Sequence, residues 1–257
     1  MSEEMVEEFV TVESIFVRGR NCLALRAKFS PLFTDYYLHL MQYGLRNEEI
    51  YDSLLKELMA YFTLYMVARP WAEQHAWTVN LNTPVVANLF VSGSSLTESV
   101  VGRVFTQDVK EPEENTLYST MLCKGQEPRY SVVPIPGASP AQWVEEFYKQ
   151  SEQRTARCIE LPDECYTMVT AQPDADEEWL NSLNQEKMAH LEENENTRVV
   201  ETRRFRFYCG CTLDRILPTL KALQEKEKDL FQGENELEIT CPRCAAIYRV
   251  TRENLED

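Results

Sequence analysis

The chain is poor in the residues that most enzyme chemistries need. It has only three histidines, His39, His75 and His190, far apart in sequence. No Ser-His-Asp arrangement and no phosphate-cradling glycine loop can be read, and the three histidines read as packing or surface residues. Glycine is scarce, with 8 residues in 257. The apolar stretch between Ile50 and Met66 is broken by Asp52, Lys56 and Glu57, so a membrane span is not expected. The first residues, Met1 to Met5, are acidic and lead into no apolar run, so no secretory signal is expected. Positive charge is in deficit: the net charge of −16 argues against nucleic-acid phosphate as a partner.

What the chain does have is 44% hydrophobic residues, enough to bury a core, and eight cysteines. Four of these form two close pairs, Cys209-Gly-Cys211 and Cys241-Pro-Arg-Cys244, with 29 residues between them. Each pair offers two thiolates from one tight turn, as a tetrahedral zinc site requires. The bland alternative is four ordinary buried thiols. Four thiolates would close the coordination sphere and leave no position for water, which disfavours hydrolytic zinc chemistry. Arg203, Arg206 and Arg243 lie close in sequence to offset the negative charge. Cys22, Cys123, Cys158 and Cys165 stand among apolar residues and read as small buried hydrophobes. The paired spacing, with the core and the acidic start, favours a reducing, cytoplasmic setting over a secreted disulfide scaffold.

The fold class expected is α+β in three parts. Residues 1–172 form a mixed α/β domain with antiparallel-type sheets and a central apolar helix. Residues 173–200, net −6, form an acidic helical linker. Residues 201–257 form a small zinc-binding domain. In the first part, residues 14–28 predict a hairpin turning at Gly19 to Asn21. After a break at Ser30-Pro31, Thr34 would cap a helix through Tyr43. Asn47 would cap a second one running to Arg69. Ile50, Leu54, Leu55, Leu58, Met59, Phe62, Tyr65 and Met66 give that second helix an apolar face so wide that it reads as buried. Strands are expected over 77–81, 85–91, 99–105, 116–122 and 130–133. A helix opened by Ser139-Pro140 follows, then a last pair over 156–161 and 165–169.

In the linker, Trp179, Leu180, Leu183, Met188 and Leu191 can share one helical face. So short a segment must dock that face on a neighbour, whether marginally or as a permanently packed helix. The last part predicts a strand over 203–208 and a helix after Thr212. Leu213, Leu217, Leu220 and Leu223 should face inward there, with a kink or two short helices at Pro218. Strands over 236–240 and 247–250 follow. So small a unit needs a staple, and metal binding supplies one worth ~10–16 kcal/mol. Oxidation of the sulfurs would remove the metal, since each pair can instead close a disulfide, the Cys209–Cys211 ring being the more strained.

The two-pair pattern with this gap resembles that of the 33-kDa heat shock protein family of redox-regulated holdase chaperones. Gln126-Glu-Pro-Arg-Tyr130, Val133-Pro-Ile135, the helix ending Tyr148-Lys-Gln-Ser-Glu-Gln153, Phe16-Val-Arg-Gly19 and Tyr248 also resemble family segments. Two features depart from it: a Gly-Asp-Gly-Pro turn is represented by Asn82-Thr83-Pro84, and the stretch from Trp179 to Cys209 is short. The resemblance implies one zinc per chain on Cys209, Cys211, Cys241 and Cys244. It also implies oxidative pairing of Cys209 with Cys211 and of Cys241 with Cys244, unfolding of the last part and then of the linker, and ATP-independent binding of unfolding client proteins, usually as a homodimer. Trp179, Leu180, Leu183, Met188 and Leu191 would then belong to the client surface. The alternatives are a constitutive zinc ribbon presenting a partner site and, if Cys241 and Cys244 act as a redox dithiol, an oxidoreductase.

Overall fold

A computed structural model describes residues 9–224, 226 and 230–256. In chain order the elements are β1 Val10–Val17, β2 Cys22–Lys28, α1 Ser30–Gln42, α2 Glu49–Val67, β3 Glu73–Leu81, β4 Ala87–Ser94, β5 Ser99–Phe105, β6 Thr116–Cys123 and β7 Arg129–Pro134. Next come α3 Pro140–Phe147, β8 Ala156–Leu161, β9 Cys165–Ala171, α4 Glu177–Asn181, α5 Gln185–Ala189 and α6 Leu191–Asn194. The chain ends with β10 Thr197–Phe207, α7 Leu213–Gln224, β11 Glu236–Thr240, β12 Ile247–Thr251 and α8 Glu253–Glu256. This is the expected mixed fold. Among the described residues no helix is long and apolar enough to cross a membrane.

Ten strands form one sheet in the order β7-β6-β3-β4-β5-β10-β1-β2-β9-β8. All neighbours are antiparallel except β10 and β5, which run parallel and meet only at Arg206–Ser99 and Phe207–Val100. A short central seam therefore joins two antiparallel halves. The sequence order does not reveal this, because β10 lies about a hundred residues after β5.

Helix α2 fills the main core. Every residue from Leu58 to Val67 is buried, as its unbroken apolar surface requires. It lies so close to the sheet that a Cβ on Gly93 would stand 2.6 Å from Met66 Cε and 2.7 Å from the Ser99 carbonyl. Trp77, Phe62, Tyr65 and Phe147 interlock beneath it, with Trp77 ring centroids 5.0, 4.7 and 5.1 Å from the other three.

Several helix starts differ from the sequence reading. Helix α1 begins at Ser30 with Pro31 in its first turn, where proline costs no hydrogen bond; Thr34 is already inside the helix, its hydroxyl donating to Ser30 O. Glu48, not Asn47, holds the N-cap position of α2, and the Asn47 amide donates to the Tyr36 hydroxyl instead. Helix α7 is one helix with Pro218 inside it, and Leu223 is exposed rather than inward.

The segment between β9 and β10 covers the second face of the sheet half built by β1, β2, β9 and β8. A bulge between Ser14 and Ile15 turns β1 over. Val10 and Val12 thus face the main core, while Ile15 and Val17 join Cys22, Ala24, Ile159, Val169 and Ala171 in a second cluster. Leu180, Leu183, Met188 and Leu191 complete it. The expected single helical face is split into three short helices. Asp176 and Asn184 cap the first two by accepting from the N–H groups of Trp179 and Lys187. Trp179 is only half-buried, under the Arg20 guanidinium.

Candidate metal centre

Cys209 follows directly from the central strand. β10 ends at Phe207, and the chain turns through Gly210, which adopts φ +66°. A Cβ there would add left-handed strain. The second pair follows β11, and its tight turn is closed by Ala245 N–H donating to Cys241 O (2.9 Å) and Cys241 N–H donating to Ala246 O (2.8 Å). Ala245 is itself left-handed, at φ +62°.

The two turns meet. Cys209 Sγ lies 3.8 Å from Cys241 Sγ, and Cys211 Sγ lies 3.5 Å from Cys244 Sγ. All four sulfurs lie within 4.8 Å of one another, the reach of a single tetrahedrally held ion. All eight cysteines are free thiols. Donation from Cys209 and Cys244 pushes Cys241 well below the usual thiol range, while donating to Cys241 pushes Cys209 up to about 12. The neighbouring thiols thus favour negative charge on the Cys241 sulfur alone, the form in which a thiol binds metal, and Cys244 is pushed up like Cys209.

The surroundings hold the backbone of both turns. Arg103 from β5 donates to Cys241 O (2.8 Å), and His39 from α1 donates from Nε2 to Cys244 O (2.7 Å). Arg243 donates to Ser92 Oγ on β4 (3.0 and 3.2 Å) and to Cys209 O (3.4 Å). Tyr248 donates to Cys211 O (2.9 Å) and lies 3.1 Å from Cys211 Sγ. Cys241, Cys244 and Ala246 are buried within the main core cluster, and Cys209, Cys211 and Tyr248 pack against it. Among the described residues, the remainder of the last part has a separate core in which only Leu220, Phe231, Val250 and Leu255 are buried.

Of the three arginines expected near the sulfurs, Arg243 is there. Arg203 is not. It is 5% exposed, stacks on Trp71 and donates to the Arg69 carbonyl (2.9 Å) just past the end of α2. The period-two pattern of β10 explains this, since Arg203, Phe205 and Phe207 share the inward face. Arg206 stacks over Tyr208 at 4.7 Å. Arg103 and His39 were not expected at the site; they lie more than a hundred residues away in sequence, and no local signal marks them. Of the other four cysteines, Cys22 and Cys158 are buried and Cys123 and Cys165 half-buried. Burial pushes the Cys22 thiol up to about 11.

A family profile described as Hsp33 protein matches residues 159–251, which include all four clustered cysteines. A 33 kDa chaperonin from Nostoc punctiforme is 39% identical over 56 residues, 21% of this chain and 19% of that protein. One from Nitrosococcus oceani is 23% identical over 159 residues, 53% of this chain and 55% of that protein. The chain thus spans between about a fifth and just over half the length of these curated relatives. The crystal structure of the 33 kDa chaperonin of Thermotoga maritima superposes with a TM-score of 0.72, covering 98% of this chain and 97% of that one at 14% identity. Sequence likeness to the Hsp33 protein family thus covers residues 159–251, and the fold along the whole chain is similar to that of the Thermotoga maritima 33 kDa chaperonin.

Proposed function

We propose that this chain is a redox-regulated, ATP-independent holdase: inactive while its four clustered thiolates hold zinc, and able to bind unfolding proteins once oxidation has released the metal. The observation that carries this reading is the meeting of four sulfurs within 4.8 Å. Zinc–sulfur bonds of about 2.3 Å imply tetrahedral sulfur–sulfur edges of about 3.8 Å. The separations of 3.8 and 3.5 Å fit that size. When bound, the metal would supply cross-linking and no open coordination position.

Cys209, Cys211, Cys241 and Cys244 are the zinc ligands of this proposal, one ion per chain. Cys209–Cys211 and Cys241–Cys244 are its oxidised pairs. The division into a core (1–172), a linker (173–200) and a switch unit (201–257) belongs to the same reading, with β10 as the element shared between switch and core. Leu180, Leu183, Met188 and Leu191, with the half-buried Trp179, are the client surface, covered while the linker is docked. Their burial against the sheet supports a conditional role, because so short a segment is ordered against its backbone entropy largely by those side chains. A homodimer in the oxidised state, a cytoplasmic setting and the lack of a catalytic role complete the proposal.

The second reading is a constitutive zinc-binding module. It is favoured by the burial of Cys241 and Cys244 in the main core, which ties the metal to permanent structure. Peroxide treatment of the zinc-loaded chain at mildly unfolding temperature separates the two. A switch releases zinc and then suppresses aggregation of a thermally unfolding test protein. A permanent module keeps its zinc, and any suppression is the same with and without oxidant.

A further inference from the structure

The linker and the cysteine part are joined by one strand. Residues 173–196 lead into β10, and Cys209 follows shortly after its end at Phe207. One edge of β10 pairs with β1, from Thr197 opposite Val17 to Phe205 opposite Val10. The other edge meets β5 at Arg206 and Phe207. Burial along the strand is uneven. Phe205 and Phe207 sit in the main core, whereas every side chain from Thr197 to Thr202 is exposed or only half-buried. Arg203 is therefore the last buried side chain of β10 met in going from the cysteines back towards residue 196. Its guanidinium is clamped from several sides. Nη1 donates to the carbonyls of Arg69 (2.9 Å) and Met66 (3.4 Å) at the end of α2, and to Ser95 Oγ (3.2 Å) in the turn between β4 and β5. Nη2 pairs with the Glu201 carboxylate (2.9 Å). The Trp71 ring centroid lies 4.5 Å from Arg203 Cζ, and the Trp71 indole N–H donates to the other oxygen of the same carboxylate. Arg203 thus ties β10 to the main core at a point beyond the last rung of its ladder with β5.

We infer that Arg203, held by Glu201 and Trp71, is a latch that stops release of the cysteine part from spreading along β10 into residues 173–196. This rests on the reading above that metal loss frees the cysteine part. Unfolding that enters β10 from Cys209 must first expose Phe207 and Phe205 and then strip a buried guanidinium of its partners. That step leaves two carbonyls and a carboxylate without their donor, the costly case for a buried charge. Beyond it the strand is held by its ladder to β1 and by side chains already open to solvent. Little then resists until Asn196 is reached, where the linker begins. The latch sets the interval between two events: loss of shape in the cysteine part, and exposure of the apolar side chains of the linker. Arg203 acts through the position of β10 and not on sulfur; it is a positioning residue.

The test uses the full zinc-loaded chain, a chelator to start the release, and hydrogen exchange followed in time over 209–251, 197–208 and 173–196. In wild type, exchange should rise first over 209–251 while 197–203 stays protected, and over 173–196 only later. Arg203→Met should shorten that interval several-fold with zinc affinity unchanged. Arg203→Lys keeps the charge but not the planar fork, and should restore only part of the interval. Trp71→Ala alters an exposed ring, should shorten the interval by a smaller factor, and carries the test if Arg203→Met does not fold. An interval unchanged in both Arg203→Met and Trp71→Ala, or no interval in wild type, would overturn the proposal. So would exchange over 173–196 that is as fast in the zinc-loaded variants as in the stripped ones, since Arg203 would then be general support for the linker. Parallel runs with peroxide and a thermally unfolding test protein separate the latch from the holdase reading. A shortened interval without client protection at any stage would sink the holdase and leave the latch standing. Client protection with the same interval in every variant would do the reverse.

Discussion

Two pieces of chain lie against the core, and different physics holds each of them. Residues 173–196 are held by a thin layer of apolar side chains and by one hairpin turn. The Arg20 guanidinium pairs with Asp176 at the start of the segment (2.8 Å) and Glu195 at its end (3.1 Å). Backbone bonds from Asp176 N–H to Arg20 O and from Arg18 N–H to Asn196 O close the same loop. The cysteine part is held at its four-sulfur cluster by donors from α1 and β5 and by an acceptor on β4, with little apolar core of its own. Removing apolar contact should loosen the first piece alone. Removing metal should loosen the second first.

The largest expected effect separates them most cleanly. If the four sulfurs hold zinc as proposed, stripping it with a chelator removes a contribution of ~10–16 kcal/mol from the cysteine part. Hydrogen exchange over 209–251 should rise steeply while α2 stays protected. Equal protection with and without metal would mean that packing, not sulfur, holds that part.

A smaller effect is expected in the linker. Leu180→Ala removes a fully buried side chain and should cost about 2–4 kcal/mol of docking. Exchange over 173–196 should rise with zinc content unchanged. If zinc were lost as well, the two pieces would form one cooperative unit.

The pH response should distinguish core from metal centre by sign. Burial pushes Glu57, which accepts from Ala141 N–H at the start of α3, up to about 7. The folded state therefore binds this proton more tightly than the unfolded chain. Its contribution is present below the unfolded value near 4.5 and is lost as pH rises towards 7. Glu57→Gln keeps an acceptor and should stabilise the core at pH 7.5 by on the order of 2 kcal/mol, with little gain at pH 4.5. The thiolate cluster runs the opposite way, losing metal as pH falls because protons compete for sulfur. Calorimetry of wild type and Glu57→Gln across this range checks the sign; a gain that is larger at low pH contradicts it.

Smallest is the effect of Arg20→Ala. Its ion pairs are a third or more exposed on the arginine side, so screening limits them. Linker exchange should rise a few-fold at low salt and converge with wild type at high salt. A salt-independent difference would assign the contribution to stacking on Trp179 instead.

The legible and illegible parts of this fold divide along a physical line. Strand β5 falls on Ser99–Phe105 as expected, and α2 is buried as its apolar surface requires, because both signals are local. The cysteine pairs were legible because a two-residue or three-residue spacing fixes two sulfurs on one turn whatever the rest of the chain does. The seat of the site was not. Arg103 and His39 reach it only through the sheet order and the position of α1. The linker reading erred by extending one helical period from Trp179 through Asn184, a residue whose side chain caps and restarts a helix. Arg203 was placed near sulfur by its sequence position, although its alternation with Phe205 and Phe207 puts it on the core face.

Hydrogen exchange of the zinc-loaded chain before and after peroxide, followed over 173–251 with zinc release measured in the same sample, tests the central claim most directly. The account predicts stoichiometric zinc loss with protection collapsing first in the cysteine part and then in 173–196, while α2 is unchanged. Zinc loss that leaves protection in both pieces as it was would contradict it.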